Sequence, residues 1–291
     1  MSLIALEERA DLAGAQAAPV QAPRIAAPAL APALRGAVLA LLVPAILVAA
    51  WQGASALGWF APNLLPSPSA IFAELADLWR SGDLETHLLV TFWRVLSGFF
   101  FGALAATVLG ALTGASSLAR SLLDPTLQAL KAVPSLAWVP LFILWFGIFE
   151  ASKVTLIAVG VFFPIYLNLM TGIQGVDRKL VEVGRVLNLS PFAVVRRILV
   201  PATLPSYFVG LRAGLALGWM FVIAAELMGA SEGLGFLMVD GQMTGRPAII
   251  LGSLLLFAVA GKASDALLAA LGNRLLAWQD GFGGMAKGAR P

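Results

Sequence analysis

The sequence predicts an all-α integral membrane protein with six transmembrane helices. Of its 291 residues 59% are hydrophobic and only 12% are charged, whereas soluble domains carry about 25% charged residues. The charged residues are also separated by long apolar segments. About 20 apolar residues, rising about 1.5 Å each as a helix, cross a hydrocarbon layer roughly 30 Å thick. A third observation, the uneven distribution of Lys and Arg between the segments that connect the spans, gives the expected orientation.

Six charge-poor segments have the length of a membrane span. They are residues 36–58, 88–114, 122–147, 152–172, 205–229 and 247–271. Residues 1–35 form an Ala/Pro-rich tract whose regular prolines forbid a continuous helix, so we expect a disordered tail there. Residues 36–280 then form the transmembrane domain, and residues 281–291 form a flexible C-terminal tail.

The Lys and Arg residues predict that both termini lie in the cytoplasm. Six spans put both termini on one side, and twelve basic residues fall on that side against three on the other, Arg80, Lys153 and Arg246. Positive charge collects in cytoplasmic loops, which fixes the orientation. The twelve are Arg9, Arg24, Arg35, Arg120, Arg178, Lys179, Arg185, Arg196, Arg197, Arg274, Lys287 and Arg290.

The composition excludes several kinds of function. The chain has no Cys and one His, His87, which excludes a disulfide framework and an ordinary His/Cys metal cluster. The nearest approach to a phosphate-binding loop, residues 261–263 (Gly-Lys-Ala), lacks the earlier glycine and the hydroxyl that holds magnesium. The chain is therefore not expected to hydrolyse ATP. A net charge of +3 gives no reason to expect a nucleic-acid partner.

Two other classes of membrane protein fit the residues less well. An ion-coupled carrier is expected to bury acidic or His coupling groups near the middle of its spans, and this chain has almost none there. An intramembrane enzyme needs a nucleophile with a base, or a metal, and one His without Cys does not supply either in the usual ways.

A short amphipathic helix is predicted between the first two spans. Ser67 can cap a helix that Pro68 begins. One face is apolar and the other is charged; the apolar face holds Ile71, Phe72, Leu75 and Leu78, and the charged face holds Glu74, Asp77 and Arg80. We expect it to lie on the membrane surface or on neighbouring spans, as a packing helix without a ligand.

The segment between the fourth and fifth spans, residues 177–201, is charged and predicts two short helices. Leu180, Val183 and Leu187 recur at helical spacing before Asn188, a residue that tolerates the left-handed conformation that closes a helix. Ser190 can cap a second helix that begins at Pro191 and that Pro201 and Pro205 end. The apolar face of that helix holds Phe192, Val195, Ile198 and Leu199.

Such an element is too short to cross the membrane and too apolar on one side to lie free in water, so we expect it to dock on a partner. A hairpin that packs on its own bundle is the first alternative. A DNA-binding helix-turn-helix is the second, and few basic residues and anchorage between two spans argue against it.

This segment resembles the cytoplasmic loop of ATP-binding-cassette (ABC) importer permeases. The family pattern is a Glu followed by two small residues, a Gly six places after the Glu, and an Ile-x-Leu-Pro ending. Glu182, Ile198 and Pro201 match; Val183-Gly184 replace Ala-Ala, Asn188 replaces Gly and Val200 replaces Leu. The resemblance implies a type I importer permease fold whose coupling helix contacts an ATPase through Asp177, Glu182, Val183, Gly184, Leu187, Asn188, Leu189, Ser190, Pro191 and Pro201.

The resemblance extends over about residues 36–280. The subfamily for aliphatic sulfonates, taurine or nitrate is similar in the segments "TFWRVLSGFFFG", "LWFGIFEASK", "AAELMGASEGLG" and "GKASDALLAALGNRLLAW". The second and the last of these segments are most similar to aliphatic sulfonate permeases. It implies a homodimer in the bacterial inner membrane that contacts lipid, two cytoplasmic ATPase subunits and an external substrate-binding protein. ATP and magnesium would be bound by the ATPase, with no cofactor in this chain.

Several residues within the predicted spans are candidates for a translocation path, because polar groups in a membrane are costly. They are Arg94, Lys131, Trp138, Arg212, Trp219 and Glu226. The three cations suit an anionic substrate, although each lies close enough to a span end to reach the interface or to pair structurally. Trp145 is interpreted as an interface anchor and His87 as interfacial, whereas Phe146 stays open as an aromatic that either lines a path or anchors a helix.

Span five carries Gly210, Gly214 and Gly218 at intervals of four, a ridge that lets another helix approach closely. That helix belongs either to the same subunit or to a dimer interface or path. The sequence therefore predicts the non-catalytic membrane subunit of an ATP-driven importer for a sulfonate anion. Taurine and nitrate stay open as substrates.

Overall fold

The computed structural model describes residues 30–278, and every regular element in that range is helical. Of these described residues, those up to Gly53 belong to one compact unit and those from Ala54 onward to a second. The first unit contains most of helix α1, Leu30–Ala56, with Pro44 inside it. The helix begins six residues before the predicted boundary at residue 36. The rest of the predicted tail and the predicted C-terminal tail lie outside the described residues.

The second unit is a bundle of helices of very different lengths. In chain order the α-helices are α2 (Pro68–Ser81), α3 (Asp83–Ala115), α4 (Ser117–Ala132), α5 (Val139–Phe146), α6 (Glu150–Gln174), α7 (Arg178–Val186), α8 (Pro191–Val194), α9 (Val200–Leu227), α10 (Leu234–Met243) and α11 (Pro247–Leu275). A 3₁₀ turn, Ser135–Trp138, precedes α5, and a π-helical turn, Val195–Leu199, joins α8 to α9.

Four helices of the described range are long and apolar enough to cross a membrane: Asp83–Ala115, Glu150–Gln174, Phe192–Leu227 and Pro247–Leu275. A fifth span arises if Ser117–Ala132 and Ser135–Phe146 are counted together. The predicted all-helical membrane class is confirmed, and the described helices give four to five of the six predicted spans.

The segment predicted as the third span, residues 122–147, is not one straight helix. The chain bends by 90° between Ser117–Ala132 and Ser135–Phe146. Pro134 explains the break, because a proline disfavours helical backbone at the residue before it and has no N–H to donate. Val133 accordingly has an extended conformation with φ −76° and ψ 122°.

The core of the second unit consists of α3, α6 and α9. Glycines of α3 face α6 in parallel order, so that a Cβ on Gly102 would lie 2.5 Å from the carbonyl oxygen of Ala158. From α9, Gly210, Gly214 and Gly218 face Asn168, Ile165 and Val161 of α6 in the reverse order. The ridge on α9 therefore packs within the subunit, antiparallel to α6.

The predicted helix-capping residues are confirmed at two positions. The Ala70 N–H donates to Ser67 Oγ at 3.2 Å and α2 begins at Pro68. The Ala193 N–H donates to Ser190 Oγ at 3.3 Å, before the helix that begins at Pro191.

Helix α2 lies against α11, where a Cβ on Gly252 would meet Leu75, and Glu74 pairs with Arg246.

The prediction that Pro201 and Pro205 end the second short helix was wrong. Residues Phe192–Leu227 form one continuous span. The π-helical turn just before Pro201 explains this, because the Val200 N–H donates to the Val195 carbonyl five residues back. Such a wider turn accommodates a residue that cannot make the normal helical hydrogen bond.

Candidate functional site

The core has two ends. We call the loop end the one where α3 and α6 finish and α9 begins, and the charged end the one where α3 and α6 begin and α9 finishes. The segment 177–201, the candidate coupling element, lies at the loop end. Two of the charged residues predicted inside the spans, Arg94 and Glu226, lie at the charged end.

Helix α7 of the coupling element is closed at both ends by local hydrogen bonds. The Lys179 N–H donates to Asp177 Oδ1 at 2.9 Å. At the other end the Leu189 N–H donates to the Gly184 carbonyl at 3.0 Å, and Asn188 has a φ of 53°. Asn188 is the one non-glycine residue with positive φ in the described range. The left-handed conformation predicted for Asn188 is confirmed.

Gly184 is the contact point between the two arms of the coupling element. A Cβ at this position would lie 2.8 Å from Ile198 Cδ1 and 3.3 Å from Val194 Cγ2. The first of these atoms is the terminal methyl of a flexible side chain, so a larger residue here would displace the Ile198 side chain first. The two arms therefore pack directly against each other at Gly184.

The outer face of the coupling element is apolar and exposed. Leu187 and Val183 are 66% and 54% exposed, and Glu182 lies exposed beside them. Four other residues complete this exposed set: Leu180, Val186, Asn188 and Phe192. An apolar patch of this kind, rimmed by charges, is typical of a surface that binds another protein.

At the charged end, Arg94 joins three helices through four hydrogen bonds. Its Nε and Nη2 donate to Glu150 at 2.7 and 2.6 Å. Its Nη1 donates to Glu226 Oε1 at 2.9 Å and to the Glu232 carbonyl at 2.6 Å. Lys153 Nζ also donates to Glu150, at 3.0 Å. Arg94 is therefore committed to protein partners in this structure.

The same cluster holds the start of α10. The Gly233 N–H donates to His87 Nδ1 at 2.9 Å, the Leu234 N–H to Thr91 Oγ1 at 2.8 Å, and the Gly235 N–H to Glu226 Oε2 at 2.7 Å. The first N–H groups of a helix have no partner within it. Side chains of α3 and α9 satisfy these N–H groups, so His87 and Glu226 position the start of α10.

Two polar contacts join α9 to α11. Arg212 Nε and Nη2 donate to Asp265 at 2.7 and 2.9 Å, a bidentate pair of the kind that fixes guanidinium orientation. Closer to the charged end, Trp219 Nε1 donates to Ser264 Oγ at 2.8 Å. These contacts tie two of the candidate path residues to α11.

The last two candidate path residues flank the break between α4 and α5. Trp138 stacks on Phe142 with ring centroids 6.2 Å apart. Lys131 is exposed, and no hydrogen bond or ion pair of Lys131 occurs within residues 30–278.

The sequence identified the charged residues Arg94, Arg212 and Glu226 within the spans, but it did not identify the residues with which they form hydrogen bonds and ion pairs. Lys153, predicted in an outer loop, lies inside α6 with 7% exposure. Glu150, Thr91 and Asp265 lie in segments that resemble the permease family, but nothing in the sequence marked them as partners of the charges within the spans. The signal available was the cost of an unpaired charge in a span, which predicts that a partner exists without saying where it lies in the chain.

The chain belongs to the family of binding-protein-dependent transport system inner membrane components, whose model matches residues 88–277. It is therefore the membrane component, the permease, of an ABC transporter and a multi-pass inner membrane protein. Membership in this family implies a separate ATPase and a binding protein as partners, so that this subunit is not itself an enzyme.

The relatives of this chain include permeases named for aliphatic sulfonates and for taurine. It is 40% identical to the aliphatic sulfonates transport permease protein SsuC of Bacillus subtilis, over 86% of this chain and 90% of that protein. It is 38% identical to SsuC of Escherichia coli, over 82% and 91%. The taurine transport system permease protein TauC of Escherichia coli is 29% identical over 84% and 90%.

A solved structure supports the fold. The structure titled as inward-facing conformations of the MetNI methionine ABC transporter matches with a TM-score of 0.51 and 20% identity, covering 65% of this chain and 94% of that one. At this identity the similarity establishes the fold alone.

Proposed function

We propose that this chain is the permease subunit of an importer for aliphatic sulfonate anions. The observation that carries the proposal is the pair of relatives named for aliphatic sulfonates, at 40% and 38% identity over more than four fifths of each chain. The taurine relative is less similar at 29%. The nitrate import permease protein NrtB of Leptolyngbya laminosa aligns with only 63% of this chain.

Two copies of the chain form the path, with six spans each. The proposed spans are α1, α3, the bent pair α4–α5, α6, the helix Phe192–Leu227 and α11. The loop end faces the cytoplasm in this arrangement, because Arg178, Lys179, Arg196 and Arg197 lie there and basic residues collect on that side. Both termini then lie in the cytoplasm.

The coupling element transmits the ATPase movement to the path. Its exposed apolar face offers the docking surface, and Gly184 holds its first arm against its second. The second arm continues without a break into Phe192–Leu227. A displacement of the docked face therefore moves the core helix α9 as a rigid body, which is the type of motion that opens and closes such paths.

The candidate path residues divide into two groups. Arg94 and Glu226 are assigned to holding the charged end together, because their hydrogen-bonding groups are occupied by protein partners. Lys131, Trp138, Arg212 and Trp219 stay as candidates for the path. Of the two cations in this second group, Arg212 already forms an ion pair with Asp265.

Growth on a sulfonate as sole sulfur source tests the proposal. A strain deleted for this chain should fail to grow on ethanesulfonate, should grow on sulfate, and should recover when the intact chain is restored. Unimpaired growth on ethanesulfonate, in a strain shown to express no second sulfonate importer, would contradict the proposal. Loss of growth on taurine alone would move the substrate to taurine.

A further inference from the structure

The break between α4 and α5 creates an apolar pocket with aromatic walls. The pocket, here called the elbow pocket, measures about 300 Å³ and is lined by Leu127, Leu130, Trp138, Phe142, Val159, Phe162 and Phe163. This volume is at the lower end of the roughly 300–1,000 Å³ of small-molecule sites, which are mostly apolar with few polar groups.

The elbow pocket lies near the middle of a span. Its lining residues on α6, Val159 to Phe163, come nine to thirteen residues after Glu150 in a helix of 25 residues. The pocket also sits where a span bends by 90°. In secondary transporters, substrate sites commonly lie near the bilayer middle at discontinuous helices, and the elbow pocket has a comparable placement.

One cation stands beside the pocket. Lys131 directly follows Leu130 and lies four residues, or about one helical turn, after Leu127 on the same face of α4. Within residues 30–278 it has no carboxylate partner, unlike Arg94, Lys153 and Arg212. Its side chain is exposed in the last turn of α4, next to the pocket lining, so its ammonium group is available to pair with an anion.

We infer that the elbow pocket is the subsite for the alkyl chain of the transported sulfonate, with Lys131 facing the sulfonate group. This inference rests on the proposed function. An ammonium donates hydrogen bonds to sulfonate oxygens, and the aromatic and aliphatic walls bury methylene groups. The same walls disfavour the second charged group of taurine, since a buried charge without a partner is costly.

Filling the pocket tests the subsite through chain-length selectivity. Strains carrying the same ATPase and binding protein would express the wild type or Val159→Phe, and uptake of ethanesulfonate and longer alkanesulfonates would be measured. Burial is worth about fourfold per methylene group. We therefore expect the uptake ratio of the longest transported alkanesulfonate to ethanesulfonate to fall at least tenfold in Val159→Phe.

Two further variants keep the test informative. Leu127→Phe fills the pocket from the α4 side and should lower the same ratio, whereas Leu122→Phe, on an exposed position of α4 outside the pocket, should leave it unchanged. Each uptake is compared at equal amounts of protein in the membrane. Because the ratio is internal to each variant, reduced expression does not change it.

The cation has its own control. Lys131→Gln should lower uptake of short and long sulfonates alike, by about tenfold, and Lys131→Arg should restore most of it. If the uptake ratio of long alkanesulfonate to ethanesulfonate is unchanged in both Val159→Phe and Leu127→Phe, the subsite is overturned. The proposed function would still hold in that case, provided that the wild type takes up ethanesulfonate. Absence of wild-type uptake of any sulfonate would overturn both.

Discussion

At the residue scale, the most consequential group is the four-charge cluster of Arg94, Lys153, Glu150 and Glu226. Two positive and two negative groups balance, and both oxygens of Glu226 receive hydrogen bonds from Arg94, Thr91 and Gly235. Removing Arg94 would leave the Glu226 carboxylate buried without a cation, and breaking a buried pair in this way costs about 3–5 kcal/mol. The cluster therefore makes the charged end resistant to separation of α3, α6 and α9.

Arg94→Met should consequently lower the apparent melting temperature of the purified protein in detergent by a large margin, because Glu226 loses its cation. Arg94→Met combined with Glu226→Gln should recover a substantial part of the loss. The control is Arg80→Met, which removes an exposed pair with Asp77 and should cost under about 1 kcal/mol. Equal melting temperatures for the Arg94 and Arg80 variants would argue against the cluster's role.

Asn188 provides a second test at the residue scale. At a φ of 53° glycine is free of strain, asparagine is tolerated and a β-branched residue is strained. Asn188→Gly should keep ATP hydrolysis by the assembled transporter at the wild-type level, whereas Asn188→Val should reduce it several-fold by distorting the turn. An Asn188→Val transporter with full activity would show that the turn geometry is dispensable.

At the element scale, close packing of α3 on α6 depends on a backbone contact. A Cβ at Gly102 would lie 2.5 Å from the Ala158 carbonyl oxygen, whereas a Cβ at Gly261 would lie 3.6 Å from Trp219. Gly102→Ala should therefore destabilise the protein by about 1–3 kcal/mol through overpacking. Gly261→Ala should be neutral or slightly stabilising, since alanine favours helix. Thermal unfolding of the two variants in detergent would measure the difference.

The coupling element offers a prediction about function without loss of fold. Glu182 is exposed. Within the described range it forms no hydrogen bond or ion pair with a core residue of its own subunit. Glu182→Arg should insert and melt like the wild type and still abolish substrate-stimulated ATP hydrolysis in the assembled transporter. Normal stimulation in this variant would contradict the docking role, and Arg80→Glu on α2 serves as a charge-reversal control.

Some elements were predictable from the sequence because their determinants are local. Ser67, Ser190 and Asn188 act within four residues of themselves, and apolar length alone marks the long spans. The 90° break between α4 and α5 was not predicted, because the apolar segment around Pro134 has the length and composition of a single span. The continuity of the helix Phe192–Leu227 through Pro201 was not predicted, because no residue type marks a π-helical turn in a sequence.

At the scale of the whole molecule, the pairings that hold the bundle together were beyond sequence reasoning. Arg94 and Glu226 are 132 residues apart, and no periodicity links them. Membership in the permease family, by contrast, was predictable, because the loop pattern and several longer segments are each contiguous in the sequence and resemble the family without reference to distant residues. Charged pairs join the helices of the core at one end, and at the other end the core continues into the coupling element, through which we propose that an ATPase moves it.

The most direct test of this account is uptake of radiolabelled ethanesulfonate into proteoliposomes that contain this chain and its ATPase, with the binding protein supplied outside. The account predicts uptake that requires ATP inside the vesicle and disappears in Glu182→Arg. Uptake that proceeds without the ATPase, or transport of taurine or nitrate in place of ethanesulfonate, would contradict it.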